Sequence, residues 1–510
     1  MVSTIQLLLF EHIGYNIQFM RDACLLIPAP CAVPRRPRLP FPPLFPLFSG
    51  NIPAMKKKPT LGNFFKKANI SNGSKKADKN TNSQKPAPKP QQSATTSAKS
   101  IMPHLPDDRL LSVLPTLQSL VPQPYYLGML PRSDCEELLT KTGEFCVRIT
   151  SVEHTPSFLI VLRVNQDRCK HIQIERSADG QFFITDDVKK PTIPRLVEYY
   201  RENPCVAYSS DEVFLGTPLT RGEEFLVHEN IKIGKELGSG AFGTVHEGVL
   251  KTKDGDVPVA IKKLRATDIL KAQLLQFMKE GKLMLTLKHP NILRTYGVAP
   301  AETPVLIVLE LASGGSLKGY CKSEDPVPTE RLVAFAKDAL RGMTYLQSQN
   351  LIHRDLAARN CLLGKESVLK ISDFGLSYQG SKLKVTKLKS LPIKWLAPEV
   401  FSGEFSFKTD VWAYGVLLWE IFSRCKNDPF PDKNNFEAKD IILDSEDLLP
   451  MQPPPGTPPA FQECMKLCFT YKSEDRPYFD TLFKKMLPDE VPPGEESTKQ
   501  TQQTSDSTAP

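Results

Sequence analysis

The chain has 510 residues, 40% hydrophobic and 24% charged, a balance ordinary for globular proteins and long enough for roughly two to four domains. Its formal charge is +8, but residues 1–122 hold 16 Lys and Arg against 5 Asp and Glu, a net +11, which leaves −3 for the remainder. The basic character belongs to a tail, so whole-protein nucleic-acid binding loses its support and no nucleic-acid partner is expected.

Residues 1–122 carry 17 of the 45 prolines and read as a disordered basic Pro/Lys-rich segment, too poor in apolar surface to offset its ordering entropy. Within it, Pro28–Pro46 has PxxP spacing beside Arg35, Arg36 and Arg38 and suits a polyproline-reading domain. Lys58–Phe65, KPTLGNFF, leaves three readings open: a solvated basic tail, a segment resembling a sliding-clamp binding box, or a peripheral membrane contact through lysines with Leu61, Phe64 and Phe65. Met55 is an alternative start, which would remove residues 1–54. Ile5–Phe10 is a poor signal peptide, Val2 excludes N-myristoylation, and no apolar run approaches the roughly 20 residues of a spanning helix. The 11 cysteines form no CxxC pair and favour free thiols. A cytoplasmic location is expected, with recruitment to the inner face of the plasma membrane if the tail binds lipid.

From Tyr125 the texture changes. Strand-like runs at Glu144–Thr150, Ser157–Val164 and Lys170–Ile174 lie between helical patterns at Ser133–Thr140 and Ile193–Tyr200, which predicts a small α+β domain over 123–218. Arg148 follows the apolar run Phe145–Val147, where a charge is costly unless paired. A doubly charged phosphate held by its guanidinium is one suitable partner, and an internal salt bridge is the other.

After a short linker (219–227), residues 228–487 open with strands and become mostly helical. Leu237–Val245 reads LGSGAFGTV, whose Gly238, Gly240 and Gly243 let backbone amides approach phosphate oxygens. The motif alone also suits a dinucleotide site, but Thr244–Leu250 continues as a strand instead of opening a helix, and Val259–Lys262 follows as another. Glu280 lies on a helical stretch with Leu274, Leu275, Met278 and Leu283. LIHRDLAARN (351–360), ISDFG (371–375), APE (397–399) and DVWAYG (410–415) then follow in order. From about Pro492 the chain is polar, and 488–510 reads as a disordered tail.

These motifs, in this order, resemble the eukaryotic protein kinases. Tyr125–Gly128 (YYLG), Arg132, Phe145–Arg148 (FCVR), Lys170–His171 and Leu196–Tyr200 resemble the Src homology 2 domain. The resemblance implies an α+β chain: a bilobal protein-kinase fold preceded by a central antiparallel sheet flanked by two helices. It further implies that Leu237, Gly238, Ser239, Gly240, Ala241, Phe242, Gly243, Val245, Ala260, Lys262, Glu310, Leu311 and Leu362 bind ATP, with Leu309 as gatekeeper. Lys262 and Glu280 would pair. Asn360 and Asp373 would hold Mg²⁺ (or Mn²⁺), Asp355 would receive the substrate hydroxyl proton, and Glu399 would pair with Arg476. Arg148, Arg132, His171, Thr150 and Ser151 would hold phosphotyrosine.

Arg359, four residues after Asp355, and Pro392–Trp395 (PIKW) resemble the tyrosine-specific kinases, so the expected substrates are protein tyrosines and the expected partners phosphotyrosine-containing proteins. The reader-then-kinase order resembles the non-receptor Fes/Fer-like type, in a short nematode-style branch. Two alternatives stay open: a phosphotyrosine-binding scaffold with an inactive or dispensable kinase, and a Ser/Thr or dual-specificity kinase. The activation segment departs from the family pattern, since Tyr378 is the only tyrosine between Asp373 and Glu399 and Leu383–Thr386 stands where a phosphorylatable tyrosine is usual.

Overall fold

The computed structural model describes residues 107–152, 155–203, 214–240, 243–264, 271–323, 326–386 and 391–494. The polyproline, clamp-like and alternative-start readings lie outside these residues, as do Ala241 and Phe242. Helix α1 (Asp107–Leu120) corrects the expectation of disorder through residue 122. Leu114, Leu117 and Leu120 fall on one face of it at three-residue spacing and are buried in the core of the first domain. Proline count alone masked this helix: Pro115 sits inside it, where burial of that face offsets one lost backbone bond.

Next come α2 (Arg132–Leu138), β1 (Phe145–Val152), β2 (Thr155–Arg163), β3 (Cys169–Arg176), the short β4 (Phe182–Phe183) and β5 (Lys189–Lys190), and α3 (Ile193–Glu202). The five strands form one sheet in sequential order. Arg148 pairs with Leu159, which pairs with Gln173, while Cys146 pairs with Val161 and Val161 with His171. Because side chains alternate across a strand, Cys146, Arg148, Val161 and His171 share one face. Phe145, Val147, Ile149, Ile160 and Ile172 take the other, where they pack with α1 and with Leu196, Val197 and Tyr200 of α3.

The second domain begins with β6 (Ile231–Gly240), β7 (Gly243–Thr252) and β8 (Gly255–Leu264), then α4 (Lys271–Thr286), β9 (Thr295–Ala299) and β10 (Leu306–Glu310). The sheet order is β6-β7-β8-β10-β9. α4 buries Phe277, Met278 and Met284 in the core, but Leu275 of the predicted apolar set faces outward. The larger lobe is built on α5 (Leu317–Ser323), α6 (Thr329–Ser348) and α7 (Phe407–Phe422). α7 is buried almost throughout, and the Tyr414 hydroxyl donates to the Ala336 carbonyl of α6 at 2.9 Å. α8 (Asn435–Leu443), α9 (Pro459–Cys468) and α10 (Phe479–Met486) complete it. As expected, Arg476 is buried and grips Glu399, at 2.7 and 3.2 Å.

Two expected boundaries shift. Residues 488–494 belong to the large lobe, because Arg341 of α6 holds Glu490 through both guanidinium ends at 2.7 and 2.8 Å. The linker is an ordered splint: Leu219 N–H donates to the Phe145 carbonyl, Leu226 N–H to the Val298 carbonyl, and Val298 N–H to the Glu224 carbonyl. The first domain rests directly on the small lobe. Met129 N–H donates to the Pro300 carbonyl at 2.9 Å, Ala301 joins the first domain's core, and Lys282 of α4 pairs with Glu137 and, at 3.8 Å, Asp134 of α2.

Candidate active site

A cleft of about 510 Å³ opens between the lobes. Every residue that the sequence assigns to ATP and that the structure describes lines it: Leu237, Gly238, Ser239, Gly240, Gly243, Val245, Ala260, Lys262, Glu310, Leu311 and Leu362. A methyl group added to Gly238 or Gly240 would meet no protein atom and would project into open space, where phosphate must approach. At Gly243 it would lie 2.1 Å from the Lys263 carbonyl oxygen, so the hairpin itself excludes a side chain there. Met284, Leu293, Ala312, Gly315, Ser316 and Ser372 also line the cleft and were missed. Only Met284 left a signal, lying four residues after Glu280 on one face of α4.

Lys262 Nζ lies 2.5 Å from Glu280 Oε1 and 3.9 Å from Asp373 Oδ1. Burial pushes the Glu280 carboxyl up, and Lys262 beside it pulls it back. Phe374 is buried against His353, with ring centroids 5.1 Å apart, which leaves Asp373 facing the cleft with φ +63°. The left-handed backbone is costly for a non-glycine residue and persists only when its surroundings impose it.

The catalytic loop hangs from two buried carboxylates on α7. Asp410 accepts the His353 N–H at 2.7 Å and the Arg354 N–H at 2.9 Å; Glu420 accepts the Ala358 N–H at 2.9 Å and the Trp395 indole N–H at 3.0 Å. Burial pushes both carboxyls up, opposed by His353 and these amides at Asp410 and by Trp395 and the Ala358 amide at Glu420. Neither was assigned a role from sequence, although a charge inside an apolar helix was the available sign.

Asp355 is held from two sides: Arg359 donates to its Oδ1, and Asn360 Nδ2 donates to its Oδ2 at 2.8 Å and its carbonyl at 2.7 Å. Arg359 also stacks over Trp395, 4.5 Å from the ring centroid. With its side-chain nitrogen engaged, the Asn360 side-chain oxygen Oδ1 remains for a cation, as does the half-exposed Asp373 carboxylate. Two hard oxygen donors beside a phosphate-sized opening fit a divalent metal carried by a nucleotide.

The second candidate site lies on the α2 face of the first domain. Arg148 is buried, and its Nε donates to the Leu130 carbonyl at 2.9 Å. Among the described residues it forms no ion pair, so the internal salt bridge does not appear there. Arg132 Nε and His171 Nε2 both reach Oε1 of Glu136, at 2.8 and 2.7 Å. Thr150, two residues after Arg148 on β1, lies on the same face, and the Ser151 side chain lies outside the described residues.

The family model for "Protein tyrosine and serine/threonine kinase" matches residues 231–486, and the SH2 domain model matches residues 125–200. Tyrosine-protein kinase Fer of Homo sapiens is 37% identical over 374 residues, covering 72% of this chain and 44% of that relative. Fer-related kinase 1 of Caenorhabditis elegans is 34% identical over 368 residues, covering 71% of this chain and 92% of the relative. Spermatocyte protein spe-8 of Caenorhabditis briggsae is 35% identical over 345 residues, covering 67% and 65%. The chain therefore spans less than half the length of human Fer. Protein kinases use ATP with a divalent metal, which the cleft's donors suit. With its SH2 domain ahead of a kinase domain whose Lys262–Glu280 pair is closed, the chain belongs to the Fer/Fes-type family of SH2-containing non-receptor protein-tyrosine kinases.

Proposed function

We propose that the chain is an active protein-tyrosine kinase that moves the γ-phosphate of ATP to protein tyrosine hydroxyls, and that its SH2 domain (123–218, extended by α1) directs it to phosphotyrosine-containing partners. The closed Lys262–Glu280 pair with Asp373 on the same lysine carries this reading. In it, Lys262 would hold the α/β-phosphates of ATP, Asn360 and Asp373 would hold Mg²⁺ or Mn²⁺ to neutralise phosphate charge, and the nucleotide would supply the phosphoryl group. Asp355 then orients the tyrosine hydroxyl and takes its proton, within a loop fixed by Asp410 and Glu420. Arg359, pinned between Asp355 and Trp395, places a cation beside the reacting oxygen and sets a platform for the phenol. Arg148, with Arg132, His171, Thr150 and Ser151, holds the phosphotyrosine of a partner. The eight described cysteines are all free thiols, which supports a reducing, cytoplasmic setting. No described helix is long and apolar enough to cross a membrane.

The test is phosphorylation of a Glu/Tyr copolymer by the purified chain with ATP and Mg²⁺. Lys262→Met and Asp355→Asn are expected to lose about 10²-fold or more of the rate, because each removes a group acting on the transferring phosphate or its acceptor. Equal rates in the three proteins would refute the enzyme reading, and mainly phosphoserine on a protein substrate that offers both serine and tyrosine, such as casein, would refute its tyrosine specificity.

A further inference from the structure

The reader's phosphate pocket already holds an anion of its own. Arg132 and Glu136 stand four residues apart on α2, so they share one face of that helix, and the face lies over the strand face bearing Arg148 and His171. One oxygen of Glu136 receives both Arg132 Nε and His171 Nε2, at 2.8 and 2.7 Å. The contact is sheltered on one side: the His171 side chain is 11% exposed and that of Glu136 34%. The Arg132 hydrogen bond, ahead of that from His171, holds the Glu136 carboxyl below its usual range, so it is ionised at neutral pH. An ionised carboxylate only accepts hydrogen bonds, which makes His171 Nε2 the donor. Two of the groups expected to receive phosphotyrosine thus each commit one donor, Arg132 Nε and His171 Nε2, to the protein's own carboxylate, while Arg148 stands free of any described ion pair.

We propose that Glu136 is a built-in competitor of phosphate. It closes the reader's pocket in the free protein and must swing out before phosphotyrosine can draw Arg132 and His171 to itself. The proposal rests on the phosphotyrosine reading of the pocket. A phosphate oxygen cannot take the Arg132 Nε and His171 Nε2 hydrogens while Glu136 Oε1 holds them, and a carboxylate left beside a dianion repels it. Glu136 therefore sets a threshold: only ligands whose flanking residues add affinity open the pocket, and a bare phosphorylated phenol binds poorly.

Binding of a labelled degenerate phosphotyrosine peptide mixture to the full chain without ATP, with phenyl phosphate as competitor, tests this. Glu136→Gln keeps the shape and removes the charge. It should tighten peptide binding by about tenfold, the equivalent of about 1.4 kcal/mol, and strengthen phenyl phosphate competition at least as much. Glu136→Ala should move both in the same direction, and Arg148→Ala should abolish binding in every background. If the wild type binds and Glu136→Gln binds equally or more weakly, Glu136 only positions the two donors and the proposal is overturned while the phosphotyrosine reading stands. If neither wild type nor Glu136→Gln binds, the phosphotyrosine reading itself falls, and the proposal with it.

Discussion

His289 stacks on Tyr345 with centroids 4.8 Å apart, and its Nδ1 accepts the Asn291 N–H at 3.1 Å. Burial, reinforced by Arg341 and Lys370, pushes its pKa down to about 4. The unfolded chain takes up this proton below about pH 6.5, whereas the folded chain resists until about pH 4. Stability present above pH 6.5 is therefore lost as pH falls towards 4. After screening at a partly exposed ring, the loss should be about 1–2 kcal/mol. His289→Asn, whose side-chain oxygen can replace Nδ1 as acceptor, should flatten the fall in unfolding free energy between pH 6.5 and 5; an unchanged slope would assign the fall to other groups. Residues whose chemistry demands one type were the legible ones. Lys262, Asp355, Asn360 and Asp373 were all placed by sequence, because phosphate and metal accept few substitutes at fixed spacing. Asp410, Glu420 and Glu136 were not, since their roles come from elements 25 to 62 residues away, or from a helix face that sequence spacing alone does not aim.

At the scale of elements, the activation segment is held by pairing. Its strands β12 (Tyr378–Gln379) and β13 (Lys382–Lys384) bond to β11 (Leu351–Ile352) and β14 (Glu404–Ser406), and Val385 N–H donates to the Gly403 carbonyl at 2.8 Å. Arg354, beside this segment, donates to the Leu376 carbonyl and stacks on Phe405, 4.2 Å from its centroid. The order of this segment thus comes from backbone ladders and an aromatic contact. Tyr378→Phe should keep most of the copolymer rate; a collapse of the rate, together with phosphate mapped to Tyr378 in the wild type, would show that modification orders the segment. The elements themselves were largely visible in sequence, because strands of alternating polarity and the glycine hairpin announce themselves. The exceptions, α1 and residues 488–494, are short pieces whose stability comes from the domains they pack on.

At the scale of the whole molecule, the reader and the small lobe meet at a contact that leaves no room. Gly128 has φ +59°, and a methyl group there would lie 2.1 Å from the Pro300 carbonyl oxygen. The left-handed backbone adds roughly 1–2 kcal/mol of strain for any other residue. Gly128→Ala should loosen the reader from the lobe, expose linker residues 219–227 to protease and lower the kinase rate, because α4 carries both Lys282, paired with Glu137, and Glu280, paired with Lys262. An unaltered rate despite the freed linker would mean that this contact does not support catalysis.

The seven-residue helix α2 faces two ways: Arg132 and Glu136 towards His171 on the sheet face that bears Arg148, Asp134 and Glu137 towards Lys282 on the helix whose Glu280 pairs with Lys262. Thermodynamic linkage makes any coupling through such a rigid piece symmetric. By whatever factor a phosphotyrosine partner alters the grip of the cleft on nucleotide, nucleotide alters the grip of the reader on its partner. Under the proposed function, such a coupling would make the cell's nucleotide level an input to partner choice, and the docked ligand an input to nucleotide residence.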